Sequence, residues 1–229
     1  MKAWNARSTK ATLEYYFDRV GFVSVGAFRR DIDNFFVSTV IPATPEFLAL
    51  HSLDGEEYAG YDVSTQINSP EKVRMEGYNL NYKQALTFLP EWARGVQLFA
   101  NFNALRATGT GAGNFGGYIP RTVNWGLSLS RPKYNLKINW HHRGRARDSA
   151  ITGRGIEAGT YNWSGQRMYV DVGADYNLTK RIALLVSVRN LNSMPERTEA
   201  AGPSTPDAMQ LLTLTNYGAV WVFGVKGSF

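Results

Sequence analysis

Nine stretches of this chain alternate large apolar residues with small or polar ones at a period of two, and the 3.6-residue period of an amphipathic helix is scarce. The clearest stretch is 168–178, MYVDVGADYNL. Met168, Val170, Val172, Ala174, Tyr176 and Leu178 fall on one face, and Tyr169, Asp171, Gly173, Asp175 and Asn177 on the other. A strand of this kind offers oil to one side and water to the other. The same alternation runs through 11–17, 77–83, 96–104, 123–130, 134–140 and 182–189. A further strand starts at Phe22 and runs toward Phe28, and the last is 216–229, NYGAVWVFGVKGSF. In 96–104 Phe99 interrupts the polar face.

The connections alternate as regularly as the side chains. Those at 18–21, 89–95, 132–133 and 179–181 are short, whereas those near 41–70, 108–118, 146–167 and 193–215 are long. In an up-and-down antiparallel meander, consecutive connections lie at opposite ends of the sheet. All the short turns therefore gather at one end and all the long loops at the other. That asymmetry belongs to outer-membrane barrels, with short periplasmic turns, long extracellular loops, apolar outer faces and polar lumens. A soluble barrel instead fills its interior with apolar side chains. Here the second face is Asn, Asp, Ser, Lys and Gly, too polar for a dry core.

By composition alone, with hydrophobic residues at 44% and charged residues at 19%, the chain resembles an ordinary soluble protein; a polar lumen accounts for that, and since no run of 18 apolar residues exists no transmembrane helix is expected. Aromatics at 13% with 22 Gly lean toward strands. Phe17, Phe22, Phe88, Trp92, Tyr134, Tyr176 and Phe229 lie toward the short-turn end. Phe35, Phe36, Tyr78, Trp140 and Tyr217 lie toward the loop end, so two interfacial girdles are expected. The net charge of +6 is scattered and forms no basic block, so no nucleic-acid partner is expected. There is no cysteine and hence no disulfide or thiolate site. The N-terminal stretch MKAWNARSTKATLEYYF lacks the apolar core of a signal peptide, which is consistent with an N-terminal truncation.

No motif points to catalysis, a cofactor or a metal. GTGAGNFGG, 109–117, has Asn114 where a dinucleotide fingerprint needs its third glycine, and reads as a flexible surface loop. His141 and His142 are neighbours on a strand and point to opposite faces, so they cannot easily share a metal; His51 is alone in a loop. Asp31 and Asp33 begin like a calcium loop but lack its later Gly and Glu. Ser149, His142 and Asp148 crowd one segment without triad spacing. Arg74, Lys83, Arg106, Lys137, Arg143, Arg145, Arg147 and Arg189 lie near strand ends or on the polar face, where a water-filled lumen accommodates them.

Several segments, taken in order, resemble the C-terminal part of a TonB-dependent outer-membrane receptor. ATLEYYF…GFVSVGAFRRDIDNFF resembles a barrel hairpin of that family through Glu14, Tyr16, Phe17, Phe28, Arg30, Asp31, Ile32 and Phe35. VRMEGYNLNYKQALTFLP keeps Gly77, with Asn79 where a Glu is common. YIPRTVNWGLSLSRPKYNLKINWHHRG looks like the following hairpin. YVDVGADYNLTKRIALLVSVRNLNSMPER carries the most specific element, Val188, Asn190, Leu191 and Asn192 at the end of the penultimate strand. The last strand ends in Phe229, as family members do, although Gly227 departs from the larger residue common there.

The resemblance implies a barrel of about 22 strands closed around an N-terminal plug. Such a receptor imports a scarce nutrient (siderophore, cobalamin or glycan) with energy delivered by TonB. The expected fold is thus all-β, an antiparallel up-and-down transmembrane β-barrel segment of about nine strands. Residues 1–229 form the C-terminal portion of the barrel, with the plug and earlier strands absent. The expected location is the cell outer membrane. The expected partners are outer-membrane lipid, the barrel-assembly machinery through the C-terminal strand, TonB through the missing plug, and a small-molecule or glycan substrate. An odd strand count sits awkwardly in a closed bacterial barrel, which favours a fragment. The alternatives are a complete small porin or adhesin barrel, and a soluble β-protein or rim enzyme.

Overall fold

The structure is a computed structural model that describes residues 1–17, 20–58, 60–153 and 155–227. Its strands in chain order are β1 (Asn5–Phe17), β2 (Gly21–Asp33), β3 (Phe36–Pro42), β4 (Asp62–Asn68), β5 (Val73–Ala85), β6 (Val96–Thr108), β7 (Arg121–Ser130), β8 (Tyr134–Arg143), β9 (Ala146–Ala150), β10 (Tyr161–Ser164), β11 (Arg167–Asn177), β12 (Ile182–Arg189), β13 (Glu196–Ala201), β14 (Leu211–Thr215) and β15 (Val220–Gly227). One α-helix, α1 (Pro45–Leu50), starts at Thr44, whose hydroxyl caps the Phe47 amide.

Nine strands form one antiparallel sheet in the order β1-β2-β5-β6-β7-β8-β11-β12-β15, each paired with the next in sequence among those nine. These are the nine strands expected from the alternation. Among the described residues β1 and β15 are not paired with each other, so the sheet is an open arc of a barrel. No helix of the described residues is long and apolar enough to cross a membrane, which does not bear on crossing by strands.

The register makes each face continuous across strands. Val96, Leu98, Ala100, Phe102 and Ala104 of β6 stand opposite Leu129, Leu127, Trp125, Val123 and Arg121 of β7. On the far side of β7, Trp125 faces Trp140, Leu127 faces Ile138 and Leu129 faces Leu136 of β8. The run from Val96 to Ala104 covers eight residue steps, about 27 Å along the strand. Tilted by roughly 40°, that is about 21 Å of height, close to the apolar band of an outer-membrane barrel. Many residues of this face are more than a third exposed, including Leu13, Tyr78, Leu184, Trp221 and Phe223.

The opposite face is the concave one. Its Ser24, Gly26 and Gly126 are buried although nothing covers them but their neighbours. Gly26 is required by close approach: a Cβ there would lie 2.3 Å from Asn79 Oδ1. Phe99, one of the apolar residues on this face, lies beneath the Lys137 ammonium at 5.8 Å.

The long connections hold more structure than the sequence indicated. That between β2 and β5 carries the β3–β4 hairpin with α1 at its tip. Those between β8 and β11 and between β12 and β15 donate strands to one sheet of order β14-β13-β10-β9. The segment 109–117, expected to be a surface loop, instead turns its Phe115 inward. Phe115 joins Ile32, Phe35 and Val73 in a core at the loop end of the concave face. Its ring meets Phe35 edge-on at 5.4 Å. Phe35, 1% exposed, is therefore a core residue and not part of an interfacial girdle. Phe22 also leaves the girdle, because it pairs with Lys83 on the concave side. Phe88 and Trp92 keep the expected place at the short-turn end, at 75% and 80% exposure. The turn centre at 18–19 and the terminal Ser228 and Phe229 lie outside the described residues.

Candidate functional site

The concave face is built as a polar surface whose groups answer one another across strands. Asn101 donates to Asn81 at 2.8 Å, joining β6 to β5. His141 contacts Asn124 through Nδ1 at 3.0 Å and Asp171 through Nε2 at 3.4 Å, joining β7, β8 and β11. Asp171 also accepts the Asn190 backbone amide at 2.9 Å. Nearer the short turns, Ser130 bonds Asn135 at 2.5 Å and Asn135 donates to Asp175 at 2.6 Å. Period-two alternation places every one of these groups on the same side as Gly26 and Gly126. Most of this wall's polar groups are paired across strands, and the Asn139 Oδ1 is buried with no partner among the described residues.

Toward the loop end this wall becomes cationic. Arg143 of β8 stands directly opposite Arg167 of β11. Two like charges across a ladder repel, and Glu196 answers one of them by bonding Arg167. Glu196 also accepts the Tyr169 hydroxyl at 2.6 Å. The Arg143 Nε is buried with no partner among the described residues. Lys83, Lys137 and Arg189 share this concave face by register, as expected for a polar lumen.

Above it, the four-stranded loop sheet pairs arginines with aromatic rings. The Arg145 guanidinium lies 4.3 Å from the Trp163 ring and bonds Glu199 at 2.7 Å; Arg197 reaches the same carboxylate at 3.4 Å. Arg147 lies 4.6 Å from the Tyr161 ring and bonds the Ala112 and Phe115 carbonyls, tying the 109–117 segment to this sheet. Farther out, Glu157 accepts the Ser204 hydroxyl at 2.7 Å and the Ser204 amide at 3.0 Å. Those two bonds hold the Glu157 carboxyl below the usual carboxylate range.

The groups weighed from sequence do not converge. His141 faces the lumen, His142 the outer face between Val123 and Met168, and His51 meets the Phe47 ring at a tilt in the distant loop. Among the described residues no three metal-ligating side chains come together. Asp148 accepts from Ser164 and Ser149 from Asn162, away from His142. Asp31 and Asp33 bind arginine and lysine, not one another's site. The expectation for Arg74 and Arg106 is corrected. Register puts both on the outer face, above Tyr78 and Ala104, and not in the lumen. Sequence reasoning missed this because it treated polar residues at strand ends as lumenal. Counting parity from Tyr78 to Glu76 and Arg74 would have found it.

Comparison with known proteins gives one family and one fold. The profile of the family described as "TonB dependent receptor-like, beta-barrel" matches residues 1–191. No curated protein matches the chain. A ferric enterobactin receptor (PfeA) mutant from Pseudomonas aeruginosa superposes with a TM-score of 0.66 at 18% identity, over 100% of this chain and 32% of that one. The ferric-catecholate import receptor Fiu from E. coli K12 gives 0.63 at 12%, over 100% and 28%. The copper transporter OprC gives 0.65 at 14%, over 99% and 31%. At such identities the likeness is one of fold. The chain spans about a third of the length of these structures.

Proposed function

The chain belongs to the TonB dependent receptor-like β-barrel family, a family of the outer membrane, and on that premise we propose that it is the C-terminal portion of the barrel of a receptor that imports a scarce nutrient. The observation that carries this is the open sheet. Nine antiparallel strands end in two edges, β1 and β15, that find no partner among the described residues. An unpaired edge in hydrocarbon costs several kcal/mol for each backbone group. About thirteen further strands, the number the family resemblance implies, would pair both edges and close the barrel. The outer face meets lipid, the short turns face the periplasm, and the structured loops form the outer vestibule. A plug upstream of the barrel would carry the contact with TonB. The role is transport and not catalysis, in keeping with the family.

Within the siderophore, cobalamin and glycan classes, the lumen wall favours an anionic chelate of the siderophore class. Arg143 and Arg167 face one another, and the one carboxylate bonded there, Glu196, is on Arg167. An anionic ligand entering the vestibule meets that surplus. Two measurements test the reading. The gene upstream of Met1 is expected to encode a plug and the earlier strands; a complete unrelated gene there would sink the receptor assignment. In cells carrying the whole receptor, uptake of a ferric catecholate is expected to fall when Arg143 and Arg167 are both changed to Gln. Unchanged uptake with normal outer-membrane levels would remove the anionic substrate class and leave the receptor reading standing.

A further inference from the structure

Directly above its apolar band, the outer face carries a lattice of arginines with too few anions to match. Cross-strand register defines three rows. The lowest runs Ala11, Ala27, Tyr78, Ala104 and Arg121 across β1, β2, β5, β6 and β7. In the next, Glu76 stands between Arg29 and Arg106. In the one above, Asp31 stands between Arg7 and Arg74. Five arginines thus share two carboxylates. Asp31 bonds Arg29 at 3.1 Å and Arg74 at 2.9 Å, and Glu76 bonds Arg106 at 3.4 Å. Among the described residues Arg7 and Arg121 have no carboxylate in reach.

The lowest row adds shape. Its three alanines floor a groove of about 1140 Å³. Arg29 and Arg106, with Asp31 and Glu76, line it above that row, Arg121 lines it at one end of the row, and Tyr78, 56% exposed, stands within it. The alanines, Tyr78 and Arg121 share the lowest row, next to the apolar band, and Arg29 and Arg106 lie one row farther toward the headgroups. A merely soluble rim needs no excess of one sign. Guanidinium forks match phosphate oxygens in pairs, and the boundary of an apolar band is where a membrane places its phosphates.

We propose that this groove binds a lipid whose headgroup carries phosphate, its acyl chains on Ala11, Ala27 and Ala104 and its phosphate oxygens on Arg29, Arg106 and Arg121. Asp31 holds Arg29 and Arg74 and Glu76 holds Arg106, and five guanidiniums against two carboxylates leave a net positive charge for the headgroup. The assignment rests on the outer face meeting lipid.

The test uses the full chain in neutral detergent micelles, titrated with lipid A bearing two phosphates, with the same lipid dephosphorylated, and with inorganic phosphate. Retained lipid is read by native mass spectrometry. Quenching by brominated detergent, taken as the part lost when Trp125 and Trp140 are changed to Phe, reports separately whether those two residues lie in the micelle. The phosphorylated lipid is expected to bind at least tenfold tighter than the dephosphorylated one, and more weakly as salt rises. The triple change Arg29→Gln, Arg106→Gln and Arg121→Gln is expected to weaken it about tenfold or more. Ala104→Trp, which fills the groove and keeps every charge, is also expected to weaken it. Arg30→Gln, on the lumen side of the same strand, is expected to leave it unchanged. Equal binding of both lipids, or an undiminished triple variant, overturns the site. Inorganic phosphate binding as tightly as the lipid overturns the lipid and leaves a free-anion site. Absent quenching overturns both this inference and the membrane placement; quenching without phosphate preference overturns this inference alone.

Discussion

Asn190 donates its side-chain amide to the Gly218 carbonyl at 3.1 Å, across 28 residues of sequence. The same amide reaches the Met194 carbonyl at 3.1 Å, and its oxygen accepts the Met194 amide at 2.9 Å. Asn190 itself has a φ of 53°, a left-handed conformation that asparagine tolerates better than most residues. One side chain thus ends β12, turns the chain into its loop and fixes where the chain returns for β15. Two residues on, Asn192 accepts the Val170 amide at 3.1 Å and donates to the Met168 carbonyl at 2.8 Å. Its amide group continues the ladder on β11 after the backbone of β12 has left it. The Asn-Leu-Asn motif is therefore a strand terminator with two separate tasks.

Asn190→Ala removes three hydrogen bonds and puts a Cβ-bearing residue without a local acceptor at positive φ. At about 1 kcal/mol for each net bond and about 1 kcal/mol for the backbone, the loss is expected to be 2–4 kcal/mol. Asn190→Gly recovers only the backbone part and is expected to fall between the two. Urea unfolding in micelles, followed by tryptophan fluorescence, measures both. Equal stability of all three chains would show that the side-chain bonds contribute nothing.

Val172 and Gly173 are neighbours with opposite surroundings. Val172 stands between Ile138 and Val188 in the apolar band. A Cβ added at Gly173, on the lumen side, meets nothing within 4 Å. Val172→Arg is expected to cost about 2–4 kcal/mol, the penalty for a cation near the bilayer middle. Gly173→Asn is expected to be near neutral. Folding yield into lipid vesicles and the heat-shifted gel mobility of the barrel read the difference. Similar behaviour of the two variants would contradict the assignment of faces.

The strands were legible because their faces differ chemically. Met168 to Leu178 alternate without error, and Tyr134 to Trp140 do so on the paired strand. The turns were legible because they are short: Pro132 and Lys133 leave room only for a hairpin, in which Arg131 bonds the Tyr134 carbonyl at 2.9 Å. The long connections were not. β13, with sequence ERTEAA, has little strand propensity of its own. It is a strand because β10 and β14 lie on either side. Phe35 looked in sequence like an interfacial aromatic and Phe115 like part of a surface loop, since only tertiary contact shows that the two rings share a core. The arginine lattice was hidden for a further reason. Its members lie on five strands, and only register shows that Arg29, Glu76 and Arg106 share a row.

Phe115 joins the 109–117 segment to the barrel mouth. It is 8% exposed and packs on Phe35, Ile32 and Val73. Phe115→Ala is expected to cost about 3 kcal/mol, the lower end for an aromatic truncated in a core, because one side of this core opens to the loops. The damage is expected to be local. Limited proteolysis should speed up within 109–120 while β11 and β12 keep their protection. Uniform loss of protection across the sheet would mean that this small core supports the barrel as well as the loop.

Glu157 makes the loop sheet sensitive to acid. Its carboxylate accepts both bonds from Ser204, and those bonds lower its pKa relative to the unfolded chain. The unfolded state then binds the proton more readily, so this tether stabilises the loop fully at pH above the ordinary carboxylate value. As pH falls from that value through the lowered folded one, the carboxylate is protonated and the contribution disappears. Amide exchange in the 202–205 turn, corrected for the intrinsic pH dependence of exchange, is expected to rise over that window and to be flat above it. Glu157→Gln keeps an acceptor oxygen but has no proton to gain, so its corrected exchange is expected not to change with pH there. An unaltered acid response in Glu157→Gln would overturn the assignment to Glu157.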